Sequence, residues 1–329
     1  MNAPVRDREF VLTLSCPDNK GIVAAVANLL ARHGCNITES QQYGDHYTGR
    51  FFLRMEFAAG AGPDGTVVSE DTLRGAFASL TADFAATADS FAAPTADFAA
   101  TADSFTATAH SFAATASPAQ GMDWRLWRRD MRPRMLVMVS KFGHCLNDLL
   151  YRQRSGLLDA DIAAVASNHQ DLEFLARSYD LDFHHLPVRP ETKQEQEARL
   201  LELVDSYDVD LVVLARYMQV LSADLCAKMS GRIINIHHSF LPSFKGARPY
   251  HQAHARGVKL IGATAHYVTA DLDEGPIIEQ EVSRVDHTHD PEQLAAIGRD
   301  LESVALARAV NWHAQRRVLL NGVKTVVFR

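Results

Sequence analysis

Residues 211–238, LVVLARYMQVLSADLCAKMSGRIINIHH, contain two short apolar runs, LVVLAR (211–216) and RIINIHH (232–238), whose reading decides the fold. Runs of about four to eight apolar residues between polar stretches fit strands buried on both faces of a sheet. Similar runs precede them. MLVMVS (135–140) leads into a helix near 144–155, DIAAVAS (161–167) into a helix over about 171–179, and strand-like Asp182–Val188 into a charged amphipathic helix over 191–206. Strands separated by helices in this rhythm predict an α/β domain, a Rossmann-like, mostly parallel sheet covered on both faces. Downstream, GATAHYVTA and PIIEQEVSRV read as two strands around an acidic loop, followed by a long helix from about 291 to 316. The tail RVLLNGVKTVVF carries Asn321-Gly322, a strong hairpin signal.

Toward the N-terminus the order differs. EFVLTLSC (9–16) alternates as a strand and runs into the turn-prone Pro17-Asp18-Asn19-Lys20-Gly21. A helical face of Ile22, Val26, Leu29 and Leu30 follows and is ended by Gly34. Strands Cys35–Tyr43 and Arg50–Ala58 flank a turn at 44–49, and a second helix starts near Asp71, where Glu70-Asp71 suits a helix N-terminus. MDWRLWRRDMRP (122–133) reads as a closing strand plus linker. The result is a ferredoxin-like βαββαβ unit over 1–131 and a second domain over 132–329, with the boundary at Arg132-Pro133-Arg134.

Inside the first unit, at about 81–119, the composition shifts to Ala, Thr, Asp, Ser and Phe. Phe84, Phe91, Phe98, Phe105 and Phe112 recur every seven residues, and TADFAATADSF occurs twice. Helical winding would line the rings into one stripe. Pro94 and the many Thr, Ser and Asp residues oppose a long helix. Both readings stand: a duplicated insertion without catalytic role, or a helix packing on its own domain or on a neighbouring subunit.

The 329-residue chain is 47% hydrophobic and 22% charged, ordinary for a globular protein, and carries a net charge of −7 with scattered Lys and Arg. A concentrated basic face is missing, which argues against nucleic acid as a partner. Cys16, Cys35, Cys145 and Cys226 are far apart and fit reduced thiols. MNAPVRDREF lacks an apolar stretch of signal-peptide length, and Arg216 and Gln219 interrupt the most apolar run, 211–221. A cytoplasmic protein without membrane attachment is expected.

In open parallel sheets ligands gather beyond the C-terminal strand ends. Asn235 and His237 project from one face of a strand there. An amide NH2 can donate to a developing oxyanion, and an imidazole moves protons near neutral pH. The same pair would also serve as hydrogen-bonded anchors of the Leu241-Pro242 loop. The loop Asp271-Leu272-Asp273-Glu274-Gly275-Pro276 offers carboxylates to hold His237, though turn chemistry accounts for it equally. His237, His238, His251, His254 and His266 fall within thirty residues, but no His-Glu-x-x-His motif is present, and no metal is expected. Lys141-Phe142-Gly143-His144 has a single glycine and matches no phosphate-cradle pattern, so no nucleotide cofactor is expected.

NIHHSFLPSFKGARPYHQA followed by GATAHYVTADLDEGPIIEQ resembles the folate-dependent formyltransferase and hydrolase family over about 134–329. The resemblance implies that Asn235, His237 and Asp273 are the catalytic trio. It also implies that Tyr217, Met218, Gln219, Val220 and Leu221, with His266, Ala270, Asp271 and Glu274, surround the pterin of 10-formyltetrahydrofolate. The N-terminal unit resembles an ACT domain, with Asp18, Asn19, Gly21, Ile22, Asn36 and Ile37 matching its ligand-binding turn and second strand. The two together resemble the formyltetrahydrofolate deformylase family. That resemblance implies hydrolysis to formate and tetrahydrofolate in support of purine synthesis, control by glycine or methionine, and a homo-oligomer. SKFGHCL (140–146) departs from the phosphate loop of glycinamide ribonucleotide formyltransferases, which favours water as acceptor. Transfer to an unidentified amine and an inactive amino-acid sensor are the alternatives.

Overall fold

The computed structural model describes residues 8–60, 68–88, 121–241 and 249–329. The chain divides into two compact units, Met1–Asp130 and Met131–Arg329.

The first unit runs β1 (Arg8–Pro17), α1 (Ile22–Arg32), β2 (Cys35–Asp45), β3 (Arg50–Ala59), α2 (Glu70–Ala88) and β4 (Asp123–Arg128). Its antiparallel sheet has the order β2-β3-β1-β4, the βαββαβ arrangement expected from the sequence. Alternate residues of β1 (Phe10, Leu12, Leu14, Cys16) point into a core closed by Ile22, Val26 and Leu30 of α1 and Leu73 and Phe77 of α2. Helix α2 reaches Ala88, and Phe84, the first of the seven-residue series, packs on this core. Phe91, Pro94, Phe98, Phe105 and Phe112 lie outside the described residues.

The second unit runs β5 (Arg134–Val139), α3 (His144–Arg154), β6 (Asp161–Ser167), α4 (Glu173–Arg177), β7 (Asp182–His185), α5 (Lys193–Ser206), β8 (Leu211–Leu214), α6 (Ala223–Lys228) and β9 (Ile233–His237). It continues with α7 (Pro249–Ala255), β10 (Leu260–Tyr267), β11 (Ile277–Arg284), α8 (Pro291–Ala314) and the hairpin β12 (Val318–Asn321) and β13 (Lys324–Val327). The seven-stranded sheet has the order β11-β10-β9-β8-β5-β6-β7. Strands β5 to β9 pair in parallel, and β10 and β11 run antiparallel.

The near-continuous apolar runs follow from burial on both faces. Met135, Val137 and Val139 of β5 enter one core with α3 and α8, while Leu136 and Met138 enter another with α5 and α6. Helix α8 begins with a capping box, in which Asp290 accepts from the Gln293 backbone and the Gln293 side chain accepts in return. Strand β7 is shorter than the predicted 182–188 because Pro187 brings no backbone donor to a ladder. Helix α4 likewise occupies only part of the predicted 171–179, and the chain turns after it through Asp180, with φ 59°.

Candidate active site

The strand order reverses between β5 and β8, so their diverging connections leave a crevice beyond the C-terminal strand ends. A cavity of about 590 Å³ opens there. Its walls include Leu214, Met218, Val220, Val268 and Leu272 as apolar surface and Asn235, His237, His266 and Asp273 as polar groups.

The period-two geometry of β9 brings Asn235 and His237 to the same side, and the ladder with β10 sets His266 opposite Asn235. Asn235 Nδ2 stands 3.2 Å from His266 Nε2. His266 Nδ1 lies 2.8 Å from the Tyr267 carbonyl, which can only accept, so Nδ1 carries hydrogen and Nε2 faces the site. Asp273 Oδ2 is 3.2 Å from His237 Nδ1, and its Oδ1 is 3.8 Å from His266 Nε2. His237 is 6% exposed, and its other nitrogen, Nε2, is buried without a hydrogen-bond partner. It is the atom left over for chemistry.

Burial alone would raise the Asp273 carboxyl. Hydrogen bonds from His237 and His266, with their charge, outweigh that and hold it well below the ordinary carboxylate range. Asp273 sits on left-handed backbone with φ 56°. The loop that carries it is drawn onto β10, where the Tyr267 N–H donates to the Pro276 carbonyl at 2.9 Å. Gly275 permits that approach, since a Cβ there would stand 1.7 Å from the Tyr267 oxygen.

The segment after β8 is held from behind. The Met218 N–H donates to Ser140 Oγ at 3.0 Å, the Tyr217 hydroxyl meets Gln196 Nε2 at 3.3 Å, and the Ser222 N–H donates to buried Glu197 at 2.8 Å. Tyr217, Met218, Gln219, Val220, Leu221, His266, Ala270 and Asp271 all line the cavity. Glu274 stands outside that lining.

Behind the cavity wall lies a cluster of polar residues that the sequence does not bring together. Glu302 of α8 is 1% exposed, and its carboxylate lies 2.7 Å from His144 Nε2 and accepts from the Tyr250 hydroxyl at 2.9 Å. Arg216 Nε is 3.3 Å from the same carboxylate. The signal was present in α8, where Leu294, Gly298, Glu302 and Leu306 form one buried stripe at four-residue spacing with an acid inside it. Among the described residues, the group of three ligand-type side chains whose atoms all lie within 4.8 Å of one another is His144, Cys145 and Glu302, and it contains none of the five histidines singled out in the sequence. Burial, then the Glu302 charge, pushes the Cys145 thiol far up, which keeps it protonated.

In the first unit, Asp18, Asn19 and Gly21 form the turn from β1 into α1, with Gly21 at φ 92°. Ile22 is buried in the core, and Ile37 packs partly against it. Asn36 pairs with Ala58, which in turn pairs with Glu9 at the start of β1. The turn lies beyond Pro17 at the far end of that strand, so within one chain the two groups are roughly 25 Å apart. The fold of a single chain does not bring them together.

The doubly wound sheet carries an amide, an imidazole and a carboxylate at its mouth, and the family match sets its class as that of formyl-transfer enzymes. The family model described as formyl transferase matches residues 133–310, and that described as ACT domain matches residues 10–66. The formyltetrahydrofolate deformylase of Corynebacterium sp. (strain P-1) is 48% identical over 319 residues, covering 97% of this chain and 98% of that protein. The deformylase of Bacillus subtilis is 44% identical over 318 residues, covering 96% and 93%. The crystal structure of the Burkholderia mallei deformylase superposes with a TM-score of 0.79 at 48% identity, covering 98% and 100%. Glycinamide ribonucleotide transformylase 1 from Symbiobacterium toebii matches 61% of this chain and 95% of its own, at 32% identity and a TM-score of 0.56. The chain belongs to the formyltetrahydrofolate deformylase family.

Proposed function

We propose that this chain hydrolyses 10-formyltetrahydrofolate to formate and tetrahydrofolate, with Asn235, His237 and Asp273 as its catalytic residues. The observation that carries the reading is His237, which lines the cavity with Asn235, is pinned through Nδ1 to Asp273 and keeps a buried, unpaired Nε2. The cavity has the size of a small-molecule site, and its apolar walls suit a flat heterocycle such as a pterin.

Water adds to the formyl carbon, and its oxygen becomes the second oxygen of formate. The Asn235 amide donates to the oxyanion of the tetrahedral species. His237 Nε2 takes a proton from the attacking water and returns one to N10 as the C–N bond breaks. Asp273 holds the ring and balances the imidazolium formed in between. Products are tetrahydrofolate with an N10–H and a formate ion, with one proton released to solvent. The donor and the proton carriers are all side chains, so the reaction is proposed to need no metal, and chelator treatment should leave the rate unchanged. Relatives matched along nearly the whole chain are named deformylases, whereas the ribonucleotide transformylase matches 61% of it. This supports water over an amine acceptor.

The ACT unit is proposed to bind an amino-acid effector, glycine or methionine, and the protein to work in the cytoplasm as a homo-oligomer that supplies formate for purine synthesis. In that assembly the 18–21 turn of one copy is proposed to face residues 36–37 of another. No helix among the described residues is long and apolar enough to cross a membrane.

The deciding assay measures formate released from 10-formyltetrahydrofolate and water alone. His237→Ala and Asp273→Asn are expected to lose turnover while folate still binds. Formate release near the wild-type rate from either variant would refute the assignment.

A further inference from the structure

Beside His237 the cavity wall carries a buried cation. Arg216 lies two residues beyond the end of β8 on left-handed backbone with φ 67°, lines the cavity, and has a side chain only 10% exposed. Its guanidinium stands 5.6 Å from the Phe142 ring. Nε is 3.3 Å from Glu302 Oε2 but not in hydrogen-bonding geometry, and neither Nε nor Nη1, both buried, has a hydrogen-bond partner. Glu302 meanwhile is engaged by His144 and Tyr250. A buried N–H without an acceptor is strongly unfavourable, so unpaired guanidinium donors on a side chain that lines a cavity mark the place of an anion or polar ligand.

The remaining neighbours do not supply that acceptor. The His238 ring stacks at 5.0 Å from His237 and 6.5 Å from Tyr250. Burial first, then the charge of Arg216, pushes His238 down to about 4, so near neutral pH it is an uncharged wall. The Glu302 and Asp273 carboxylates offset the guanidinium charge here, so the pull on an anion comes from the unpaired donors rather than from a net positive field.

We infer that Arg216 anchors a subsite for a small carboxylate in the wall beside the reacting carbon, and that its occupant is the formate ion the reaction leaves behind. The inference rests on the hydrolytic reading for the identity of the anion, but not for the existence of the subsite. Formate is planar and presents two oxygens to a planar donor fork, the geometry in which guanidinium–carboxylate pairs are strongest. Charge appears on the product as the C–N bond breaks, next to a cation already fixed in place.

The test measures formate binding by the full-length protein without folate. The line width of ¹³C-formate is followed against protein concentration, with chloride at equal ionic strength as control. Product inhibition by formate is measured in parallel. Arg216→Gln should weaken formate binding at least about tenfold, with Arg216→Lys intermediate because a point charge replaces the fork. Arg216→Gln/Glu302→Gln removes both charges, so it does not leave Glu302 buried and unpaired should the single variant fold poorly. It too should weaken binding about tenfold or more. Absence of saturable formate binding to the wild type, or affinity within about twofold of wild type in the double variant, would overturn the proposal and leave Arg216 as a partner of Glu302 alone. Wild-type protein that binds formate but releases none from 10-formyltetrahydrofolate would sink the hydrolytic reading instead.

Discussion

Asn235 and His237 stand one residue apart in an otherwise apolar strand, and strand geometry alone puts them on one face. That made the pair legible in the sequence. From its own residues the 271–276 loop read equally as a carboxylate source for His237 and as a plain turn, because the approach of Asp273 to His237 depends on how the 268–276 loop folds back over β10. Arg216, His144 and Glu302 could not be assembled from sequence, since helix packing alone brings them together. Replacing Asn235 with Ala should lower kcat about 100- to 1,000-fold with little change in folate affinity, because the amide acts on charge that appears after binding. Steady-state kinetics with a binding titration would show it.

A second prediction at this scale concerns pH. His313 Nδ1 lies 2.7 Å from the Tyr267 hydroxyl, and burial, then the Arg316 charge, depresses the imidazole to about 3. In the unfolded chain a histidine titrates near 6.5. Above that pH both states are neutral and His313 contributes nothing to the pH dependence. As pH falls, the unfolded state takes up the proton first, so a penalty on folding grows until about pH 3. Chemical denaturation of His313→Gln from pH 7 to 4 should show a shallower loss of stability than wild type, by up to about 3 kcal/mol.

Elements were largely readable because their apolar periods are clean. The strands of β5, β6, β8 and β9 and the βαββαβ order are where composition and alternation put them. Helix α2 was harder. Its last turns extend into the repeated sequence, and packing of Phe84 on the core gives that first repeat a structural role that the near-identity of the units concealed. The loop between β10 and β11 is the element on which the site depends most closely. Gly275→Ala would force a Cβ into the Tyr267 carbonyl and shift the backbone that carries Asp273. An ångström of misplacement at a reacting group is worth about 100-fold in rate. The variant should keep native-like circular dichroism while kcat falls by about that factor.

At the scale of the whole molecule, every described residue lining the cavity falls within Met131–Arg329, and the repeat precedes that unit in the sequence. Changing Phe91, Phe98, Phe105 and Phe112 together to Ser should therefore leave the kcat and KM for folate within about twofold. A larger loss would show that the segment reaches the reaction. Glycine or methionine should change the rate of wild-type protein, and the same titration on Asp18→Ala should be flat. The opposed positions of the 18–21 turn and residues 36–37 could not be read from sequence, because strand order and register, not motif spacing, decide which ends meet.

Two of the groups around the cavity, Arg216 and Asp273, sit on backbone that L-residues with a Cβ rarely adopt. Each carries roughly 1–2 kcal/mol of conformational tension that glycine would relieve. Thermal melts should accordingly rank glycine above alanine at either position, the reverse of the order on an ordinary helix. Charge at these places persists against the backbone's own preference, so a lineage released from selection for turnover would be expected to drift there toward glycine and grow sturdier as it fell silent.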